Sequence, residues 1–211
     1  MAEQPPIKII RHANAKVMRL RVSHQKICLT VPKYCTQQQV DRFIKDSEQW
    51  IKNTYAQFCN LNLPETLQLF NQDMPVKICI QSQDDLFLLQ DETLFLQEKN
   101  PRQALQLFIM QYAKLYLPSV FEKISKQTQL EYKKLTIRFA KTRWGSCSQQ
   151  HHIMLNALLV ILPMDVVRYV CVHELVHTVH FNHSRVFWNL VEHLDPAYLQ
   201  HRKMLHYPTW F

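Results

Sequence analysis

This chain has almost no glycine: one residue in 211, Gly145. Glycine-rich phosphate loops are therefore excluded, and no Walker-type motif can be read anywhere in it. Nor is there an apolar run of about 18 residues, so no helical membrane span is expected. Met1 to Pro6 has no apolar core of the kind a signal peptide needs. The six cysteines, at 28, 35, 59, 79, 147 and 171, form no C-x-x-C pair. They read as reduced thiols packed as small apolar groups. Together these absences predict a soluble cytoplasmic protein with no membrane partner.

Acidic residues are scarce relative to basic ones, giving a formal net charge of +8. Lys8, Arg11, Lys16, Arg19, Arg21 and Lys26 cluster near the N-terminus. A basic face can attract nucleic acid or polyphosphate, but no aromatic residues are interleaved to stack on bases. The competing reading is simply the solvated side of strands.

What the chain does have is His173-Glu174-Leu175-Val176-His177, continuing to His183. Helical residues four apart differ by about 40° of rotation, so His173 and His177 share a face and can share a metal ion. Glu174 lies about 100° round, beside such an ion, where a base must sit to take a proton from water. Six residues on, His183 would be rotated roughly 240° if the helix continued. The chain must therefore turn, and Asn182 is the best residue available for a left-handed position there. His183 is the favoured third ligand, with Glu192 and His180 as alternatives within reach. Three nitrogens and an open fourth position form the pattern of a catalytic zinc.

The helix carrying this segment opens at Pro163. Val166, Val167, Tyr169, Val170, Val172, Leu175, Val176 and Val179 make it apolar on nearly every side, so it should be a buried central helix. Two imidazoles and a carboxylate in such a helix need partners, and a metal supplies them.

The rest of the chain reads as strands at 18–22 and 27–31 joined by a polar turn at Ser23 to Lys26. A capping box at Thr36 and Gln39 opens a helix with the stripe Val40, Phe43, Ile44, Trp50, Ile51, Tyr55 and Phe58. Short strands follow between 67 and 97, broken at Ser82 to Asp85. A helix over 103–126 should kink or restart at Pro118. Paired strands at 135–140 and 153–158 precede the metal helix. Residues 1–99 form a β-rich region with one helix and 100–211 a metal-binding catalytic region, with no flexible linker between them. The fold class is α+β.

Gly145 lies in Arg143-Trp144-Gly145-Ser146-Cys147-Ser148, where positive φ or close backbone approach is the expected reason for it. One reading is a hairpin turn between flanking strands. The other is a strand rimming the metal cleft that pairs with an extended substrate. Arg143 then binds a substrate carboxylate or phosphate, or else holds the loop through an ion pair. Cys147 has no dedicated histidine partner and is not read as a nucleophile.

The segment Arg143 to Ser148, with Ile153, Leu155-Asn156, Pro163, His173 to His177, Asn182-His183-Ser184 and Phe187-Trp188, resembles the YgjP-like (DUF45) metallopeptidase family. So do the strand pair ending at Val31-Pro32 and the helix reaching Trp50-Ile51. The resemblance covers most of the chain, is strongest over 140–200, and is least over 60–100. It implies a minimal zincin fold, zinc ligands His173, His177 and His183, catalytic Glu174, and kinship with SprT-like proteases. Some members of the family are linked to nucleoside triphosphate hydrolysis.

The leading expectation is a zinc peptidase acting on a peptide or protein. In it Glu174 moves protons, Arg143, Trp144, Gly145 and Ser146 line the substrate rim, and Tyr198 or Arg143 helps the zinc stabilise the oxyanion. A metal-dependent nucleotide pyrophosphatase is the alternative, weakened by the lack of clustered carboxylates for magnesium. A zinc-stabilised binding module is the third reading, but it has no use for Glu174.

Overall fold

The computed structural model describes residues 5–22, 26–59, 63–208 and 210. They form two compact units, one within residues 1–62 and the other spanning 63–209.

In the first unit, β1 (Ile7–His12), β2 (Arg19–Val22) and β3 (Ile27–Pro32) make a sheet ordered β1-β3-β2, with β1 parallel and β2 antiparallel to β3. Alternation predicts β2 and β3, whereas β1 is mostly exposed and has no buried face to mark it in the sequence. The turn expected at Ser23 to Lys26 lies outside the described residues except for Lys26. Thr36 and Gln39 do form a reciprocal cap: Thr36 N–H donates to Gln39 Oε1 at 2.9 Å, and Gln39 N–H to Thr36 Oγ1 at 3.3 Å. The helix they open, α1 (Gln37–Cys59), buries Val40, Ile51 and Tyr55. Trp50 leaves the expected stripe and is 51% exposed. One residue before Ile51, it is rotated about 100° from the buried face. The side chain of Phe58 lies outside the described residues. Pairing of Lys8 and Arg21 with Cys28, and of Arg19 with Thr30, puts these cations on the solvated side of the sheet, away from Leu29 and Val31.

The second unit begins with a sheet ordered β4-β5-β7-β6, from β4 (Thr66–Leu67), β5 (Val76–Gln81), β6 (Phe87–Gln90) and β7 (Thr93–Gln97). The expected break at 82–85 separates β5 from β6. Then α2 (Pro101–Thr128) runs through Pro118 without a restart. Proline removes one N–H, while Leu117, Phe121 and Ile124 stay buried on both sides of it and hold the helix against its neighbours.

The last sheet is ordered β8-β10-β9: β8 (Lys134–Arg138), β9 (Gly145–Cys147) and β10 (His152–Asn156). The paired strands are parallel, and a third strand, β9, lies antiparallel along the far side of β10. Gly145 is thus no hairpin turn but the first residue of an edge strand. A 3-10 turn at Ala157–Ile161 leads into α3 (Met164–Val176), followed by α4 (Arg185–Leu194) and α5 (Tyr198–Lys203). As its composition requires, α3 is central: Val166, Val167, Val170, Cys171, Val172, Leu175 and Val176 are buried, and it contacts α2, α4, α5, β9 and β10. Val179 falls beyond the helix and is 50% exposed. The whole is α+β. Among the described residues no helix is long and apolar enough to cross a membrane.

Candidate metal centre

His173 and Glu174 stand in the last turn of α3, and His177 caps it with ordinary right-handed backbone (φ −64°, ψ −15°). The chain then tightens. Thr178 N–H donates to Leu175 O at 2.9 Å, Val179 N–H to Val176 O at 3.1 Å and His180 N–H to Val176 O at 2.9 Å. Asn182 is not left-handed; the described non-glycine residues with positive φ are Asp91, Gln129 and His151. Short right-handed turns make the reversal instead.

The reversal carries His183 back over the helix. Its Nε2 lies 3.1 Å from His173 Nε2, and one ring nitrogen from each of His173, His177 and His183 falls within 4.8 Å of the others. Nitrogens about 2.0–2.1 Å from a tetrahedral ion are separated by roughly 3.3 Å, so this set fits a zinc-sized ion. His177 Nδ1 is 3.0 Å from His180 O, which places its proton on Nδ1 and leaves the Nε2 lone pair free. His180 thus supplies a carbonyl, and neither its ring nor Glu192 belongs to the cluster. Burial, and then the neighbouring His177 and His183, push His173 down to about 3. His177 is also lowered, chiefly by burial. Neutral imidazoles are the form that binds metal.

The three rings rest on a common aromatic bed. Phe187, fully buried on α4, has its ring centroid 5.0, 4.6 and 4.8 Å from those of His173, His177 and His183. Trp188 stacks on His183 at 5.5 Å.

Glu174 is 5% exposed, and its Oε2 has no hydrogen-bond partner among the described residues. Burial raises its pKa to about 8, opposed by the charge of Arg143. Above it runs β9. A Cβ at Gly145 would lie 2.5 Å from Glu174 Cγ and Oε1. Gly145 has no positive φ, so of the two expected reasons for a glycine only close approach applies.

Trp144 and Gly145 from β9 and its approach, Tyr169, Val170, His173 and Glu174 from α3, and Arg202 and Leu205 from α5 and beyond enclose a cleft of about 230 Å³. Arg143 is exposed at its margin; its carbonyl accepts from Asn156 Nδ2 at 3.0 Å. Trp144 stacks on Tyr207 at 4.5 Å. Ser146 pairs with Met154 in the sheet and does not line the cleft, and Tyr198 stacks on Trp188 at 5.6 Å instead of facing it. Burial, with Glu174 nearby, pushes the Cys147 thiol up to about 11, so it stays protonated. Sequence reasoning missed Tyr169 and Arg202 as cleft residues and Asn156 as the clamp on the segment before β9. Tyr169 reads as core from its place in the apolar pattern of α3, and α5 has no buried residue to mark it.

A family model described as YgjP-like, metallopeptidase domain, matches residues 16–207. None of the curated proteins and none of the solved structures compared matches the chain.

Proposed function

The chain belongs to the YgjP-like metallopeptidase family, and from that premise we propose that it is a zinc peptidase with His173, His177 and His183 as ligands and Glu174 as general base. The family implies a metal-dependent, peptidase-like hydrolase. The supporting observation is three imidazole nitrogens within 4.8 Å of one another, next to a buried carboxylate with an oxygen unpartnered among the described residues. A structural zinc site needs no such carboxylate.

Once bound, the ion supplies a Lewis acid that draws the pKa of water towards neutrality and polarises a carbonyl. The chain does the rest. Glu174 takes the proton of the attacking water and passes it to the leaving amine. The His177–His180 contact keeps one imidazole in the ligating tautomer. β9 pairs with β10 on one side only among the described residues, so its other edge can hold an extended peptide against the cleft. Arg143 and Trp144 then flank that peptide where it enters.

The test is a parallel assay of zinc-loaded protein on unstructured polypeptides and nucleoside triphosphates, with Glu174→Gln as the blank. Polypeptide hydrolysis is expected. Glu174→Gln should keep zinc and thermal stability while losing about a hundredfold or more in rate. Unchanged turnover in zinc-loaded Glu174→Gln defeats the mechanism. Hydrolysis of triphosphates alone transfers the site to phosphoanhydride chemistry.

A further inference from the structure

Arg202 brings a full positive charge to the cleft wall that also holds His173 and Glu174. Its guanidinium carbon lies 5.1 Å from the ring centroid of Trp188, the same indole that stacks on His183. The helix carrying it is tied down: His201 Nδ1 and Asp195 Oδ2 are 2.8 Å apart, their side chains 15% and 7% exposed. Arg202 forms no ion pair with any carboxylate among the described residues. Its charge reaches His173 and Tyr169, whereas Glu174 is influenced by Arg143.

A guanidinium lying over an indole is attracted through its charge to the ring face, which leaves its N–H donors available for hydrogen bonds. Here the guanidinium is held at a water-accessible cleft, and among the described residues it forms no ion pair with a carboxylate. The cleft, about 230 Å³, has room for one residue of a ligand. The group such a fork matches best is a carboxylate, bound through two parallel hydrogen bonds.

We infer that Arg202 is a carboxylate-binding residue, and that the substrates are peptides bearing a carboxylate beside the bond cut, either an acidic side chain or a free C-terminus. This substrate class rests on the peptidase reading.

The test is equilibrium binding to zinc-loaded, full-length Glu174→Gln protein, so that nothing is consumed. Three dye-labelled pentapeptides, Ala-Ala-Xaa-Ala-Ala, are compared by fluorescence anisotropy: Xaa glutamate with a blocked C-terminus, Xaa glutamine with a blocked C-terminus, and Xaa glutamine with a free C-terminus. One of the two carboxylate peptides should bind at least tenfold tighter than the neutral one, and which one identifies the source of the carboxylate. Arg202→Gln should erase the difference, and Arg202→Lys should keep only part of it. Melting temperature and zinc content establish that each variant is folded, and Arg202→Lys carries the comparison if Arg202→Gln is not.

Equal binding of all three peptides overturns the inference, as does an acid preference that survives in the Arg202 variants. So does ATP binding through Arg202 more tightly than any peptide. Cleavage of these peptides by the unsubstituted protein without acid preference removes the inference and leaves the peptidase. Arg202-dependent binding of acidic peptides that are never cleaved does the reverse.

Discussion

A Cβ on residue 145 would sit 2.5 Å from both Cγ and Oε1 of Glu174, so the lone glycine and the proposed base share one space. Carbon atoms in contact normally stand about 3.5–4.0 Å apart. The edge strand β9 is therefore pressed against α3 at the one position where a side chain has been removed. This ties the glycine directly to the candidate chemistry.

Gly145→Ala should overpack that contact at a cost of about 1–3 kcal/mol. The displaced carboxylate should lower hydrolysis by about a hundredfold, the scale expected of a misplacement near 1 Å. Because φ at Gly145 is not positive, no backbone strain is added. In a Glu174→Ala background the same substitution should be neutral or stabilising by up to about 1 kcal/mol, since alanine restricts the unfolded chain. Denaturation of the four proteins as a double-mutant cycle measures this. An equal cost in both backgrounds would mean that the glycine answers to something other than Glu174.

The metal helix and its two histidines are legible from spacing alone, because helical periodicity is local and His173, Glu174 and His177 lie within one turn. The capping box at Thr36 and Gln39 is legible for the same reason. Long-range pairing is not. The parallel match of β8 with β10, and the placement of β9 along the opposite edge, depend on contacts between segments that no periodicity connects. Asn182 illustrates another limit. Spacing requires a reversal before His183, but composition cannot decide between one left-handed residue and a run of tight right-handed turns. Arg202 stayed hidden because its role comes from Trp188, fourteen positions earlier and on another helix.

Asn156 should be the clamp that fixes Gly145 in place. It is fully buried, its Nδ2 donates to Ala140 O at 2.8 Å and to Arg143 O at 3.0 Å, and its Oδ1 accepts from Leu158 N–H at 3.1 Å. Asn156→Asp keeps the shape but turns a double donor into an oxygen facing two carbonyls. A loss of about 1–3 kcal/mol is expected, with reduced hydrolysis as the segment before β9 relaxes. Thermal denaturation with a parallel activity assay checks both, and wild-type stability would show that these bonds do not hold the segment.

About one equivalent of zinc per chain is the expectation for purified protein. His183→Ala should lose far more zinc affinity than Glu192→Ala or His180→Ala, since His180 offers only its backbone carbonyl to the cluster. Elemental analysis after dialysis against a weak chelator ranks the variants. Greater loss from Glu192→Ala would place the third ligand on α4 instead.

The metal-free protein should lose stability as pH rises from about 6.5 to 8, and Glu174 should be the cause. Burial raises this carboxyl from 4.5 to about 8, so between those values the folded protein holds a proton that the unfolded chain has released. Its contribution is complete below the unfolded value and is lost as pH climbs through the folded one. His173 works in another window. Depressed from 6.5 to about 3, mainly by burial, it contributes above its unfolded value and loses that contribution as pH falls towards 3. Above 6.5 it is neutral in both states, and so is His177, whose shift is also downward. That leaves Glu174 to set the slope, with a total of at most about 2 kcal/mol across the interval. Chelator-treated wild type should therefore melt at falling temperatures from pH 6.5 to 8, while Glu174→Gln stays level. Parallel curves for the two proteins would show that Glu174 ionises in the folded state as readily as in the unfolded one.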